Sequence, residues 1–282
     1  MAFVCGIYGY EFTREFCVAG WRFIPRSPVA AEAHAWARDP ERYQLTGVLV
    51  GAHADSEQLA RLEAILSFIE HMDVILSRPQ PPGAQGPFHS LPATILVSRR
   101  YSGGGAILAP DSWLPRSRPA FIEAALERLA DEAFCEESGY RPLFFKVAEA
   151  YRQRRPYLEV SFFLLFSGLE TYVRRTLRDD ETRKVAVPMA HLLQRMGFQV
   201  YEDNPEAPAR SLQTYANFRN TLFHSGKLEF VKKDPGGTPC LYRLQDYFVH
   251  FRILVSLALL RATGFDDGHT NWDAWIDRTL LR

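Results

Sequence analysis

The chain has 282 residues, of which 47% are apolar, 13% aromatic and 23% charged, a balance that excludes disorder, collagen-like repeats and a coiled-coil rod. Acidic and basic residues number 33 each, so no net field advertises a nucleic-acid or membrane partner. The basic set is 28 Arg and 5 Lys, a bias that genome base composition alone can produce.

At roughly 100–200 residues per domain, the length accommodates one large domain or two modest ones. Cys5, Cys17, Cys135 and Cys240 show no short paired spacing, so neither a zinc ribbon nor a CxxC redox site is expected, and they read as free thiols of a reducing cytoplasm. Residues 1–10 lack a basic region followed by an apolar one, and the longest strongly apolar run, Ile253 to Leu260, falls far short of a membrane span. The expected location is cytoplasmic, with no membrane partner.

Up to about Pro115 the pattern is mixed. Runs rich in β-formers occur at Phe3–Tyr10, Cys17–Ile24, Leu45–Val50, Asp73–Ser77 and Thr94–Ser98. Between them, one helix is expected with Ser27 as N-cap and Pro28 at its first position. A second begins near Asp55 and carries Leu59, Leu62, Ile65, Leu66 and Ile69 on one face. The loop containing Pro79, Pro81, Pro82 and Gly83 falls inside this domain, because another strand signal follows.

From Arg118 the apolar period changes from 2 to 3.6. Helices are expected from Arg118 through Leu129, over Arg141–Arg154, from about Pro156 to Leu177, over Pro188–Met196, from about Ala209 to His224 and from Gln245 to Ala262. The last is apolar nearly all round between Ile253 and Leu260, which marks it as buried. Lys227–Lys232 and Leu241–Leu244 flank Asp234-Pro235-Gly236-Gly237, a hairpin tip. Trp272, Trp275 and Ile276 suggest a final packed turn. The fold class is therefore α+β: a small mixed α/β domain over residues 1–116, then an all-α bundle over residues 117–282.

Chemistry concentrates in Tyr215-Ala-Asn-Phe-Arg219-Asn220-Thr-Leu-Phe-His224-Ser-Gly226. Arg, a polar residue and then His near a helix end resembles the signature of the HEPN superfamily, small helical domains of which many are metal-independent ribonucleases. The bare spacing is met twice, here and from Arg243 to His250, and a chain this rich in Arg meets it about twice by chance. What separates the first match is Asn220, since the chain holds only four Asn. Gly226 ends the helix as in the family, and the helix centred on Leu169-Glu170 lies upstream as the family order places it. Arg243 is followed by Leu244, and His250 continues into Phe251 and Arg252; that pair reads as structural. The resemblance covers about residues 140–263, under half of the chain.

The resemblance implies a metal-independent endoribonuclease with catalytic Arg219, Asn220 and His224, no cofactor, an RNA substrate and a homodimer in which two copies of the helix build a shared cleft. ApeA-like members with an extra domain are associated with antiviral defence or toxin systems, and the resemblance extends that expectation here. The alternative is a non-catalytic HEPN interaction or nucleotide-binding module.

Physical roles stand beside the resemblance. Asn220 and His224, four apart on a helix, are nearly eclipsed, so the amide can hydrogen-bond the ring and set its tautomer. Arg219 lies about 140° around the helix from His224, so the two share one small pocket within a single chain only if the helix end unwinds. RNA supplies its own nucleophile in the ribose 2′-hydroxyl. An imidazole, with a reference pKa near 6.5, serves as general acid or base, and a guanidinium neutralises the phosphorane. Glu170 either orients Arg219 from the neighbouring helix or pairs with Arg174, four residues on.

Elsewhere the signals are structural. Ser102-Gly-Gly-Gly105 lacks the P-loop Lys and reads as a turn. His34, His53, His71 and His89 have no ligand spacing. Arg152, Arg154, Arg155, Arg174, Arg175, Arg178, Arg183 and Lys184 form a basic concentration partly cancelled by Asp179, Asp180 and Glu181, read as a solvated face rather than an RNA track. The first domain carries no catalytic constellation. Its Trp21, Trp36 and Trp113, with Tyr8, Tyr10 and Tyr43, make it the expected seat of a regulatory ligand or protein, as sensor or substrate selector.

Overall fold

The computed structural model describes residues 2–53, 55–97, 105–153, 156–233 and 236–279. The chain divides into two units, Met1–Ala130 with Tyr151–Pro156, and Asp131–Ala150 with Tyr157–Arg282. The first division between the units thus falls after Ala130, and the chain returns to the first unit at Tyr151–Pro156. The helix that begins at Ser117 packs within the first unit, where Phe121 meets Phe68 at 5.5 Å between ring centroids.

The first unit is built on an antiparallel sheet of β1 (Phe3–Tyr8), β2 (Phe16–Val18), β3 (Trp21–Pro25), β4 (Tyr43–Gly51) and β5 (Ile75–Leu76), in the order β2-β3-β4-β1-β5, with β6 (Thr94–Ile95) also pairing β4. β1 is buried at every position and reads as a continuous apolar run because it lies between β4 and β5 and is covered on both faces. The register between β1 and β4 shifts at Ile7/Tyr8. There Thr46 Oγ1 donates to the Ile7 carbonyl at 3.2 Å and accepts from the Tyr10 amide at 3.3 Å, satisfying groups that the shift takes out of the ladder.

The run Cys17–Ile24, expected as one strand, is a hairpin. Ala19 and Gly20 take left-handed φ values of 51° and 77°, the conformation of a tight turn whose twist matches its strands. The first run ends at Tyr8, because Gly9 follows at φ 87°. α1 (Ala30–Ala37) starts two residues later than Pro28 implied. Its N-cap is Val29, and Ser27 Oγ accepts from the Val29 amide and donates to Glu32.

α2 (Ser56–Glu70) is capped by Asp55, whose side chain accepts from the Glu57 amide, and it buries the expected face of Leu59, Leu62, Ile65, Leu66 and Ile69. α3 (Ser117–Ala130) follows. Between α2 and α3 lies an ion cluster whose Glu70 and Arg118 are buried and whose Arg38 reaches the surface. Glu70, 0% exposed, accepts from Arg38 at 2.7 Å, from Arg118 at 2.6 Å and from the Glu11 amide at 2.9 Å. Arg118 donates further to the carbonyls of Glu11, Leu108 and Ala109, and its guanidinium lies 5.4 Å from the Tyr10 ring centroid. The loop with Pro79 and Gly83 belongs to this unit: its continuation places Phe88 and Leu91 against Tyr8, Tyr43 and Leu45, and Tyr8 donates to the Pro92 carbonyl at 3.0 Å.

The second unit is mostly helical. α4 (Glu132–Ser138) was not foreseen; Asp131 caps it by accepting from the Phe134 amide, and Gly139 at φ 70° ends it. α5 (Tyr140–Arg152), α6 (Leu158–Leu177), α7 (Ala186–Arg195), α8 (Leu212–Ser225) and α9 (Leu244–Thr263) follow, with a strand pair, β7 (Glu229–Lys233) and β8 (Pro239–Arg243), between α8 and α9 and a short α10 (Ala274–Asp277) after them. Tip residues 234 and 235 lie outside the described residues. α6 is the hub and packs against α4, α7, α8 and α9. Gly168 of α6 faces α5, where a Cβ would meet the Leu143 Cα at 3.5 Å, an ordinary van der Waals distance. Residues 254–260 of α9 are buried without interruption, as the all-round apolar pattern implies. Phe251 stacks on Tyr215 at 4.6 Å and lies 5.3 Å from Phe162, and each such side chain contributes roughly 1.5–3 kcal/mol by leaving water. No helix among the described residues is long and apolar enough to cross a membrane.

Candidate functional site

α8 follows a 3-10 turn over Pro208–Arg210 that occupies the first residues expected to be helical, and it is continuous to Ser225. Its apolar side, with Leu212, Tyr215, Ala216 and Phe218, is buried. Phe218 meets Phe162 of α6 at 6.4 Å and Tyr247 of α9 at 5.8 Å. Tyr215 donates to the Ala209 carbonyl at 2.7 Å, and burial, with Tyr247 nearby, pushes its phenol well above the ordinary range. This packing sets the rotation of α8 and thereby the direction of every polar side chain on it.

Arg219 faces α6. Its Nη2 lies 3.5 Å from Glu170 Oε2, its Nη1 donates to Asn220 Oδ1 at 3.0 Å, and its guanidinium lies 5.6 Å from the Phe223 ring and 6.0 Å from that of Phe166. The other carboxylate oxygen of Glu170 accepts from Arg174 Nε at 3.2 Å. Both readings of Glu170 therefore hold at once, and it ties Arg219 to the α6 arginine. Arg219 keeps 37% of its side chain exposed, leaving donors of its fork to face solvent.

Asn220 bonds Arg219 and not His224, so the amide steadies the guanidinium and leaves the imidazole alone. His224 is exposed in the last turn of α8, with no hydrogen-bond partner among the described residues, and Gly226 at φ 66° ends the helix by donating to the Leu222 carbonyl. Because the helix does not unwind, Arg219 and His224 remain about 140° apart on it. One chain thus gathers Glu170, Arg174, Arg219 and Asn220 in one bonded group, and leaves His224 outside it.

Around Arg219 the surface is aromatic. Phe163 and Phe223, 42% and 59% exposed, meet edge to face at 5.5 Å. Val160, one turn earlier along α6, and Tyr157, its N-cap and a further turn back, are also exposed. Sequence reasoning did not single out these four. Their signal was an apolar i, i+3, i+6 series at 157, 160 and 163, outside the buried stripe of α6.

The remaining candidates behave structurally. His250 Nδ1 lies 2.6 Å from the Trp275 carbonyl and Arg243 is the N-cap of α9, which explains the second Arg-to-His spacing without chemistry. The basic concentration is not a uniformly solvated face. Arg174 bonds Glu170 and the carbonyls of Asp179 and Thr182, Arg175 bonds the Glu136 carbonyl, and Arg152 pairs with Glu63 and Asp73. Arg154 and Arg155, and Ser102 to Gly104 of the glycine run, lie outside the described residues. His34 meets Glu11 at 3.1 Å, and among the described residues no three His, Cys, Asp or Glu side chains gather where they could hold a metal ion. Of the aromatics noted in the first domain, Tyr8, Tyr10, Tyr43 and Trp21 are core, Trp36 is half-buried beneath Arg26, and Trp113 is 71% exposed. Compared with known proteins, the chain matches no family model, no curated protein and no solved structure.

Proposed function

We propose that the chain is a cytoplasmic, metal-independent endoribonuclease of HEPN type that acts as a homodimer. The observation that carries this reading is Arg219, held at the surface by Glu170 and Asn220 with part of its fork free, one turn before an exposed His224 at the helix end. A guanidinium steadied from behind can meet a phosphate without reorganising, which is what electrostatic catalysis requires. In the reaction, His224 takes the proton of the ribose 2′-hydroxyl, the 2′-oxygen bonds phosphorus, and the bond from phosphorus to the 5′-oxygen breaks. The departing 5′-oxygen takes up a proton from water, His224 returns the proton it took to solvent, and the products carry a 2′,3′-cyclic phosphate and a 5′-hydroxyl. The nucleophile belongs to the substrate, so the chemistry asks for no metal.

The angular separation of Arg219 and His224 supports a site completed by a second copy, whose His224 faces the first copy's Arg219. The exposed Phe163, Phe223, Val160 and Tyr157 beside Arg219 give an apolar patch on which the second copy would seat. The first unit then serves as sensor or substrate selector, with exposed Trp113 as its contact for a regulatory ligand or protein. An RNase held in check in this way fits a defence or toxin role.

The test is cleavage of single-stranded RNA by the full chain with chelator present. Cyclic-phosphate ends, intact DNA controls and at least about a hundredfold loss in His224→Ala are expected. Comparable cleavage by His224→Ala overturns the catalytic assignment, and RNA binding without cleavage makes the chain a non-catalytic module. Light scattering should give twice the 32.2 kDa protomer mass, and Phe163→Glu should return it to a monomer.

A further inference from the structure

α8 carries a second polar feature that the cleavage reading does not use. Gln213 and Asn217 continue the line of Asn220 and His224 at spacings of four, three and four, all within roughly 60° of the helix circumference. The amides line an open groove of about 650 Å³ between α8 and β7, with Lys184, Glu202 and Asp203 also on its walls. That volume falls in the range of small-molecule sites, about 300–1,000 Å³.

Gln213 Nε2 donates to Asn217 Oδ1 at 2.8 Å. The bond leaves Gln213 Oε1 as an acceptor and Asn217 Nδ2 as a donor, neither with a further partner among the described residues. Turning both amides over exchanges the roles and still leaves one donor beside one acceptor. Such a pair matches the edge of a nucleobase, which amides read in unstacked RNA. The charged residues do not make this a plain phosphate site. Asp203 is paired with Lys232 at 2.8 Å, while Lys184 and Glu202 have no ion-pair partner among the described residues. That leaves one cation for a phosphate and one carboxylate to accept from ribose hydroxyls.

We infer that this groove binds the ribonucleotide next to the scissile phosphate, with Gln213 and Asn217 selecting its base. The inference rests on the reading of Arg219 and His224 as the RNA-cleaving pair. It sets sequence preference on one side of the cut, by residues that take no part in bond breaking. The shared chemistry is a ribonucleoside phosphate, whether in an RNA strand or free.

Binding measured without cleavage tests it. The full chain carrying His224→Ala is titrated with labelled ten-residue oligomers of A, C and U, with AMP, CMP, UMP and GMP as competitors. One oligomer should bind at least about tenfold more tightly than the weakest, the scale of one good amide–base pair. Adding Gln213→Leu with Asn217→Leu should compress that spread to within about threefold. Asn217→Asp, which keeps size but exchanges a donor for an acceptor, should change the rank order. Equal binding of the three oligomers, or a spread retained in the double variant, overturns the inference. A base rank shown by mononucleotides while no oligomer binds overturns the RNA strand as the source. Cleavage by the wild-type chain without base preference sinks the subsite and leaves the activity standing; a base rank in binding without wild-type cleavage does the reverse.

Discussion

Two glutamates, one in each unit, hold two arginines apiece, and they do different things. Glu70 is fully buried, meets Arg38 and Arg118 at 2.7 and 2.6 Å, and every nitrogen of the Arg118 guanidinium finds an oxygen inside the protein. Glu170 keeps 18% of its side chain exposed and meets Arg174 and Arg219 at the looser 3.2 and 3.5 Å. A guanidinium whose donors are all used inside the protein can only hold structure together, whereas one steadied on one side and open on the other can receive a ligand. Residue type is the same in both places; what distinguishes them is the number of donors left over.

The largest effect should come from breaking the buried member of the pair. Arg118→Ala leaves Glu70 buried with Arg38 as its remaining arginine and releases three backbone carbonyls, so urea unfolding of the full chain should show a loss of about 3–5 kcal/mol. Loss below about 1 kcal/mol would mean that the cluster is not the anchor its geometry describes.

Arg219→Lys applies the same logic to the exposed member with the opposite outcome. Lysine keeps the charge and loses the planar fork, so RNA cleavage should fall by about 10–100-fold while stability changes by no more than about 0.5 kcal/mol. A stability loss as large as that of Arg118→Ala would erase the contrast between the two sites.

Glu170→Gln sharpens the comparison further. It keeps a hydrogen-bond acceptor but removes the charge that orients Arg219, and a loss of about 3–10-fold in kcat with KM nearly unchanged is expected. Its effect should be non-additive with Arg219→Lys, since both act through one guanidinium. Simple additivity would show that Glu170 serves Arg174 alone.

The smallest expected effect concerns the cysteines of the first unit. Burial pushes the Cys5 thiol up to about 12 from an ordinary value of 9.0, while Cys17 is exposed. Iodoacetamide at neutral pH should modify Cys17 and spare Cys5 in the folded chain. Because the folded state holds the Cys5 proton that the unfolded state releases, this contribution to stability is present below pH 9 and is lost as pH rises towards 12. Early labelling of Cys5 would show that β1 opens.

Much of the architecture could be read from local pattern. The 3.6-residue stripes of α2, α6 and α9, the Gly226 stop and the β7–β8 hairpin follow from side-chain spacing and turn chemistry, which act over a few residues. Short elements were harder. α4 has only seven residues, too few for periodicity to stand out, although Asp131 and Gly139 marked its ends. The β2–β3 turn was hidden because its first left-handed residue is Ala19, where glycine would have announced it.

At the candidate site, Arg219, Asn220, His224 and Glu170 were all named from the sequence, through the resemblance that Asn220 after Arg219 carries and the order of helices along the chain. Their mutual arrangement was not: the ideal helix eclipses Asn220 with His224, yet the amide turns to Arg219, because α6 brings Glu170 and fixes the guanidinium beside it. The Glu70–Arg118 pair, 48 residues apart, left no local trace at all. Sequence by itself determined most of the helices and strands and which residues stand as candidates for chemistry, because propensity and amphipathic period are short-range. Only tertiary structure decided strand order, the burial of Glu70, and which donors remain free, because those depend on what distant segments of chain bring to the same place.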